Sequence, residues 1–187
     1  MRVASNRELV EQARRGDREA FSTLVAGSVR RLVGTAGLIM RDPSGGEDAA
    51  QEALIRAWRD LPSLRDVDRF DGWLYRLLVH SCQDQLRRAR REIPTEELLS
   101  THGFAADDAA GALADRDEID RGLRRLSREQ RTVVVLRYYG GLSDREVGDA
   151  IGAPVGTVKS RLNRALDAMR AELAADARGA RSEERLA

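Results

Sequence analysis

Thr157, Lys159, Ser160, Arg161, Asn163 and Arg164 bring hydroxyl, amide and cationic donors together in one short stretch with no carboxylate among them. Read at about 100° per residue, Thr157, Ser160, Asn163 and Arg164 share one helix face, with Lys159 and Arg161 on its flanks. Val158, Leu162, Leu166, Met169 and Leu173 form the opposite, apolar stripe. Such a face can offer donors to base edges in a major groove and cations to the phosphates beside it. A merely solvated helix face has the same composition, so what precedes the helix matters.

A second constellation lies upstream. Phe70, Trp73 and Tyr75 sit among Arg65, Arg69 and Arg76, and Arg87, Arg88, Arg90 and Arg91 follow. Aromatics interleaved with arginine suit stacking on unpaired bases along a phosphate backbone. Burial of Trp73, with the arginines favouring a helix C-terminus, is the competing reading, and both stay open for Trp73. Trp58 continues an apolar stripe and reads as core. On the opposite stripe, Asp48, Gln51, Glu52, Ile55, Arg56 and Arg59 set an isoleucine among polar groups, the pattern of a protein contact.

Catalytic and metal chemistry find little material. His80 and Cys82 diverge at i, i+2 on one helix, His102 stands apart, and the single cysteine excludes a CxxC…CxxC site. Cys82 reads as a small core residue. No paired catalytic carboxylates, Gly-rich phosphate loop or Cys/His couple stands out, so neither an enzyme nor a cofactor is expected.

The elements that must hold these groups are helices. Aromatics make up 4% of the 187 residues and charged residues 34%, against 4 Pro and 16 Gly, which favours an all-α fold. Ser5 with Glu8 opens a short helix that Gly16 ends, and Asp17 caps a longer one carrying Phe21 through Ala36. After Asp42-Pro43-Ser44-Gly45-Gly46 a third helix runs from about Glu47 to Leu61, and a fourth from about Asp71 to Arg91. A later helix begins near Asp115 or Asp117 with Ile119, Leu123 and Leu126. Ser127 with Gln130 and Ser143 with Glu146 are two further capping boxes. The second of these opens a short helix that Gly152 stops, and Pro154 then starts a long one. Helix, tight Gly turn and helix make a helix-turn-helix, which raises the donor face above a solvated surface.

Charge divides the chain. Residues 1–92 hold 17 basic and 14 acidic side chains (+3), residues 93–118 hold 1 and 7 (−6), and residues 119–187 hold 14 and 10 (+4), summing to the net +1. Two small helical domains joined by a flexible acidic linker follow, with residues 1–92, a linker at 93–114, a helix-turn-helix domain at 115–175 and a polar tail at 176–187. The N-terminus has no apolar targeting segment and no run could span a bilayer, so the cytoplasm is the expected compartment and no membrane insertion is expected.

GDREAFSTLV, EDAAQEALIRAWRDL, DGWLYRLLVHSCQDQLRRARR and LSREQRTVVVLRYYGGLSDREVGDAIGAPVGTVKSRLNRAL resemble, in order, the successive motifs of an extracytoplasmic-function (ECF) sigma factor of bacterial RNA polymerase. The resemblance implies that Asp48, Gln51, Glu52, Ile55 and Arg56 dock on the β′ clamp coiled coil of core polymerase. It implies that Arg65, Arg69, Phe70, Trp73, Tyr75, Arg76, His80 and Arg87 read and melt the −10 element as single-stranded DNA, holding a flipped base. Thr157, Lys159, Ser160, Arg161, Asn163 and Arg164 would meet the double-stranded −35 element while the C-terminal lobe sits on the β flap, and the linker would thread the polymerase channel. Anti-sigma control is common in the family. Many members carry Arg-Asn where this chain has Val79-His80, which bears on −10 contacts. An autonomous helix-turn-helix regulator, with an N-terminal sensing or dimerisation domain, is the alternative, and it requires tight DNA binding without polymerase.

Overall fold

The computed structural model describes residues 6–92 and 119–183, all folded as helices and turns. The linker, Ser5, His102 and the acidic residues near 115–117 lie outside the described residues. The N-terminal lobe comprises α1 (Asn6–Arg14), α2 (Arg18–Ala26), α3 (Val29–Met40), α4 (Pro43–Asp60) and α5 (Phe70–Glu92). The C-terminal lobe comprises α6 (119–125), α7 (Arg128–Val134, continued by a π turn, Val135–Tyr139), α8 (Asp144–Ile151) and α9 (Val155–Glu183).

Local chemistry sets most boundaries. Asp17 accepts from the Glu19 and Ala20 amides at 2.9 and 3.0 Å and starts α2. Both C-terminal capping boxes close reciprocally, Ser127 with Gln130 and Ser143 with Glu146. Gly152 ends α8 at φ 68°, a left-handed conformation that glycine reaches without Cβ strain.

Four boundaries differ from the sequence reading. The long second helix is two, because it stops at Gly27 and α3 restarts at a 61° bend. The Pro43–Gly46 segment belongs to α4 rather than to a break: Pro43 occupies the first turn, and a Cβ on Gly46 would lie 2.5 Å from the Gly37 backbone, so two glycines let α3 and α4 touch closely. Pro154 stands just before α9, its carbonyl accepting from the Thr157 and Val158 amides. That helix continues through Glu183, past the expected start of a polar tail at 176. Among the described residues no single helix is long and apolar enough to cross a membrane. The bent pair α2 and α3 passes that test by length and composition together, yet Leu24, Val25, Leu32, Ala36 and Ile39 on it are core.

The N-terminal core is built from Leu32, Ala36, Ala53, Ala57, Leu61, Leu74 and Leu78, all 1% exposed or less, with Phe21 tilted against Trp58 at 5.2 Å. Small alanines along α4 bring its neighbours close, and burial of the apolar side chains is the main stabilising term. Val133, Leu136, Val147, Val158 and Ala165 anchor the C-terminal lobe.

The lobes also pack on each other. Arg131 of α7 is 7% exposed and donates through Nε to the carbonyl oxygen of Ile39, in the last turn of α3, at 3.1 Å. Tyr139 lies over Gly34 of α3 so closely that a Cβ there would collide with its phenol.

Candidate nucleic-acid interface

The capping boxes that open α7 and α8 and the Gly152 turn set α9 behind a short helix, the helix-turn-helix order that the sequence pattern predicts. Lys159, Asn163 and Arg164 are exposed, while Thr157, Ser160 and Arg161 are partly covered. The Ser160 hydroxyl is occupied locally, donating to the Thr157 carbonyl at 3.0 Å. Arg161 turns from the outer face to pair with Glu129 of α7 at 2.6 Å. Free donors therefore cluster at Asn163, Arg164 and Lys159. The apolar side is carried by Val158, Leu162 and Ala165; Leu166 and Met169 are partly open, and Ala165 is a core position the apolar stripe left out.

The upstream constellation is assembled by the charged segment between α4 and α5. Two 3₁₀ turns, Leu61–Ser63 and Val67–Arg69, pin it through buried Leu61, Leu64 and Val67. Arg65, Arg69 and Arg76 stay exposed, and Trp73 is half-buried with its ring 6.0 Å from that of Phe70. Ser63, Arg65, Arg69, Trp73 and Arg76 form one wall of a cleft of about 720 Å³.

Two expected contacts are corrected. Phe70 is 4% exposed and belongs to the core, where it supports Trp73 instead of offering its own ring to a base. Tyr75 is 6% exposed, buried near the Gly140–Leu142 turn of the other lobe, and its hydroxyl makes no well-formed hydrogen bond. Burial pushes its phenol up, outweighing a weak interaction with the Thr35 hydroxyl. Both open onto a helix whose apolar face takes every third or fourth residue, and the aromatic spacing alone did not separate that face from the outer one. His80 and Arg87 are exposed further along α5. Burial, and then the positive Arg76, hold the His80 imidazole below its ordinary value.

On α4, Asp48, Gln51 and Ile55 are exposed, the isoleucine at 67%. Glu52 and Arg56 point sideways into a network with α5: Arg56 donates to Glu52 at 2.5 Å and to Asp84 at 2.8 Å, and Arg87 also meets Asp84. These bonds, Arg87 first and then Arg56, hold the Asp84 carboxyl below its ordinary value. The network braces α4 against α5, leaving the exposed trio as the free surface.

Sequence reasoning missed the residues that join the lobes, Gly34, Arg131 and Tyr139. Neither a glycine within a helix nor an arginine within an apolar run carries a local signal of a distant partner. Among the described residues no cluster of His, Cys, Asp or Glu has a geometry that could hold a metal ion.

Comparison with known proteins accounts for both lobes. Residues 21–92 match the family described as sigma-70 region 2, and residues 116–169 match sigma-70 region 4. The RNA polymerase sigma-H factor of Pseudomonas aeruginosa is 31% identical over 88% of this chain and 91% of its own length. The ECF RNA polymerase sigma factor SigW of Bacillus subtilis is 30% identical over 88% of this chain and 94% of its own length. Among solved structures, CnrH in complex with the cytosolic domain of CnrY superposes with a TM-score of 0.70 at 27% identity, covering 91% of this chain and 98% of CnrH.

Proposed function

This chain belongs to the sigma-70 family of RNA polymerase sigma factors, in its extracytoplasmic-function class, and from that premise we propose how its surfaces divide the work of reading a promoter. As a sigma factor it binds core RNA polymerase and promoter DNA and directs transcription initiation. The family contributes recognition, with the chemistry left to the polymerase, and we place this chain with its relatives on the cytoplasmic enzyme.

The exposed donors of α9 carry the division most directly. Asn163 and Arg164 face the −35 bases, Lys159 meets the flanking phosphates, and the α8 turn sets the angle at which α9 enters the major groove. Arg65, Arg69, Trp73 and Arg76 take the melted −10 strand, the cations along its backbone and the indole against a base. Asp48, Gln51 and Ile55 dock on the β′ clamp coiled coil, an exposed isoleucine ringed by polar groups being what a protein contact needs. The C-terminal lobe meets the β flap through the apolar groove of Ile119, Tyr138 and Met169. CnrH is held by the cytosolic domain of CnrY, and an anti-sigma partner of that kind fits this chain as well.

In-vitro transcription with purified core polymerase and genomic fragments is the test. Promoter-specific transcripts that require both this chain and core support the reading. Tight binding of the chain alone to a duplex, with no transcript and no association with core, would favour the autonomous regulator.

A further inference from the structure

The loop assigned above to the −10 strand is neutral by its own charges. Between Leu64 and Phe70 the chain reads Arg65-Asp66-Val67-Asp68-Arg69, two arginines against two aspartates. A segment of zero net charge draws a phosphate backbone weakly, and an unpaired carboxylate beside the strand repels it. Each aspartate is taken up by a different device. Asp66 caps the second 3₁₀ turn, accepting from the Asp68 amide at 3.1 Å, and meets Arg69 Nε at 3.3 Å. Asp68, which lines the same cleft as Arg65, Trp73 and Arg76, is held from outside the loop: Arg7 of α1 donates through Nη1 to its Oδ2 at 3.0 Å, across 61 positions of sequence.

α1 delivers that cation. It packs on both 3₁₀ turns as well as on α2, and its buried residues, Val10 and Ala13, belong to the same core as Leu64 and Val67. Arg7 lies in the first turn of α1, the end at which the helix dipole disfavours a positive charge. Its ion pair inside the helix, to Glu11 at 3.6 Å, runs in the less favourable order, cation before anion. Helix stability therefore does not account for an arginine here. The pair with Asp68, its side chains 61% and 64% exposed, adds little to folding either. What the pair sets is the charge of the loop. α1 also precedes residues 21–92, the part of the chain that matches sigma-70 region 2.

Resting on the reading of the −10 surface above, we propose that α1 is part of the −10 apparatus and that Arg7 is its positioning residue. The guanidinium ties the Asp68 carboxylate to α1 and cancels its charge, so the melted strand meets Arg65, Arg69 and Arg76 without a free Asp68 carboxylate among them. With Arg7 counted in, the loop rises from zero to +1. Arg7 acts through Asp68, on the attraction between the loop and the strand.

The test is a double-mutant cycle in holoenzyme assembled from core polymerase and the full-length chain, comparing the parent, Arg7→Ala, Asp68→Asn and the double variant. Permanganate reactivity of promoter thymines reports strand opening, and thermal unfolding checks the fold, which replacement of exposed side chains should leave near the parent's stability. Arg7→Ala should reduce opening about threefold at low salt, the scale of one exposed ion pair, and the loss should shrink as ionic strength rises. Asp68→Asn should aid opening about threefold more in the Arg7→Ala background than in the parent, because only there is the carboxylate without its cation. Arg15→Ala removes the same charge from an exposed position just past α1, and Asp68→Asn should aid opening equally with and without it. A pair that is merely structural gives another pattern, each single replacement lowering opening alike and the double variant no better than either. That pattern, equal aid from Asp68→Asn with and without Arg7, or the same coupling to Arg15, would overturn the proposal. Trp73→Ala separates it from the reading beneath. Opening lost with Trp73→Ala and kept with Arg7→Ala sinks the role of α1 alone, whereas opening that neither variant alters sinks the −10 surface and the role of α1 together.

Discussion

Arg131 Nε lies 3.1 Å from the carbonyl oxygen of Ile39, a bond between residues 92 positions apart that ties α7 to the last turn of α3. Its guanidinium also approaches the Leu126 carbonyl at 3.5 Å. Burial, and then the nearby Arg41 and Arg128, lower its pKa to about 10, which still leaves it charged at neutral pH. Replacing it by alanine leaves the Ile39 carbonyl without this donor and opens space at the junction. Urea unfolding should show a loss of about 2 kcal/mol, the size expected for a buried hydrogen bond from a charged group. Arg131→Lys should recover only part of it, since an ammonium does not reproduce the fork of donors.

Arg164 is exposed on the donor face of α9 and is expected to read a base. Arg164→Ala should weaken holoenzyme binding to a promoter by about 1–3 kcal/mol and relax selectivity at one −35 position. Lys159→Ala should weaken all promoters alike and lower the salt dependence by about one counterion. Filter binding across a salt series distinguishes these outcomes.

Trp73 is half-buried, with its ring against Phe70 and a face on the cleft. Trp73→Ala should reduce strand opening by about 1–3 kcal/mol, the range for one stacked base, while core affinity stays unchanged. Permanganate reactivity of promoter thymines reports the melted strand directly. Full reactivity with the variant would remove Trp73 from the −10 surface.

Ile55, at 67% exposed, makes no contribution to the core of its own lobe. Ile55→Asp should leave the melting temperature within about 0.5 kcal/mol equivalent of the parent. Competition against another sigma factor for core polymerase should nonetheless show at least tenfold weaker binding, as loss of a central apolar anchor does at other interfaces.

Asp84 accepts from Arg56 and Arg87, and its carboxyl is held below the ordinary 3.8. A carboxyl depressed in the folded state stabilises it fully above the ordinary value, and that stabilisation fades as pH falls through the lowered value. Asp84→Asn should therefore be less stable than the parent by about 1 kcal/mol at neutral pH, a modest figure because the pair is partly open to solvent. The gap should close as the pH drops below 3.8. Thermal unfolding at a series of pH values measures it, and a gap that persists in acid would assign the effect to packing.

Capping and turn chemistry were readable locally because they act within a few residues. Ser127–Gln130, Ser143–Glu146, Asp17 and Gly152 each satisfy backbone groups near themselves, and each marks the boundary it promised. The early start of α4 escaped the pattern for the opposite reason: a neighbouring helix bears on it, Gly37 of α3 packing against Gly46. Site residues divide the same way. Asn163, Arg164 and Ile55 stand on the faces their periodicity assigns, and Trp73, whose face the sequence left open, is half-buried. Phe70 and Tyr75 do not, because the 3₁₀ turn before α5 and the packing of the second lobe set which side of that first turn meets solvent.

The amino-acid sequence alone determined the all-α class, the capping boxes at Ser127 and Ser143, the helix-turn-helix and the family, since propensity, capping and apolar period are properties of short stretches. Only the tertiary structure decided that Tyr75 is covered, that Arg161 turns to Glu129 and that Arg131 reaches Ile39. These depend on where chain segments far apart in sequence come to rest, and burial and hydrogen bonding between such segments leave no periodic mark on either one.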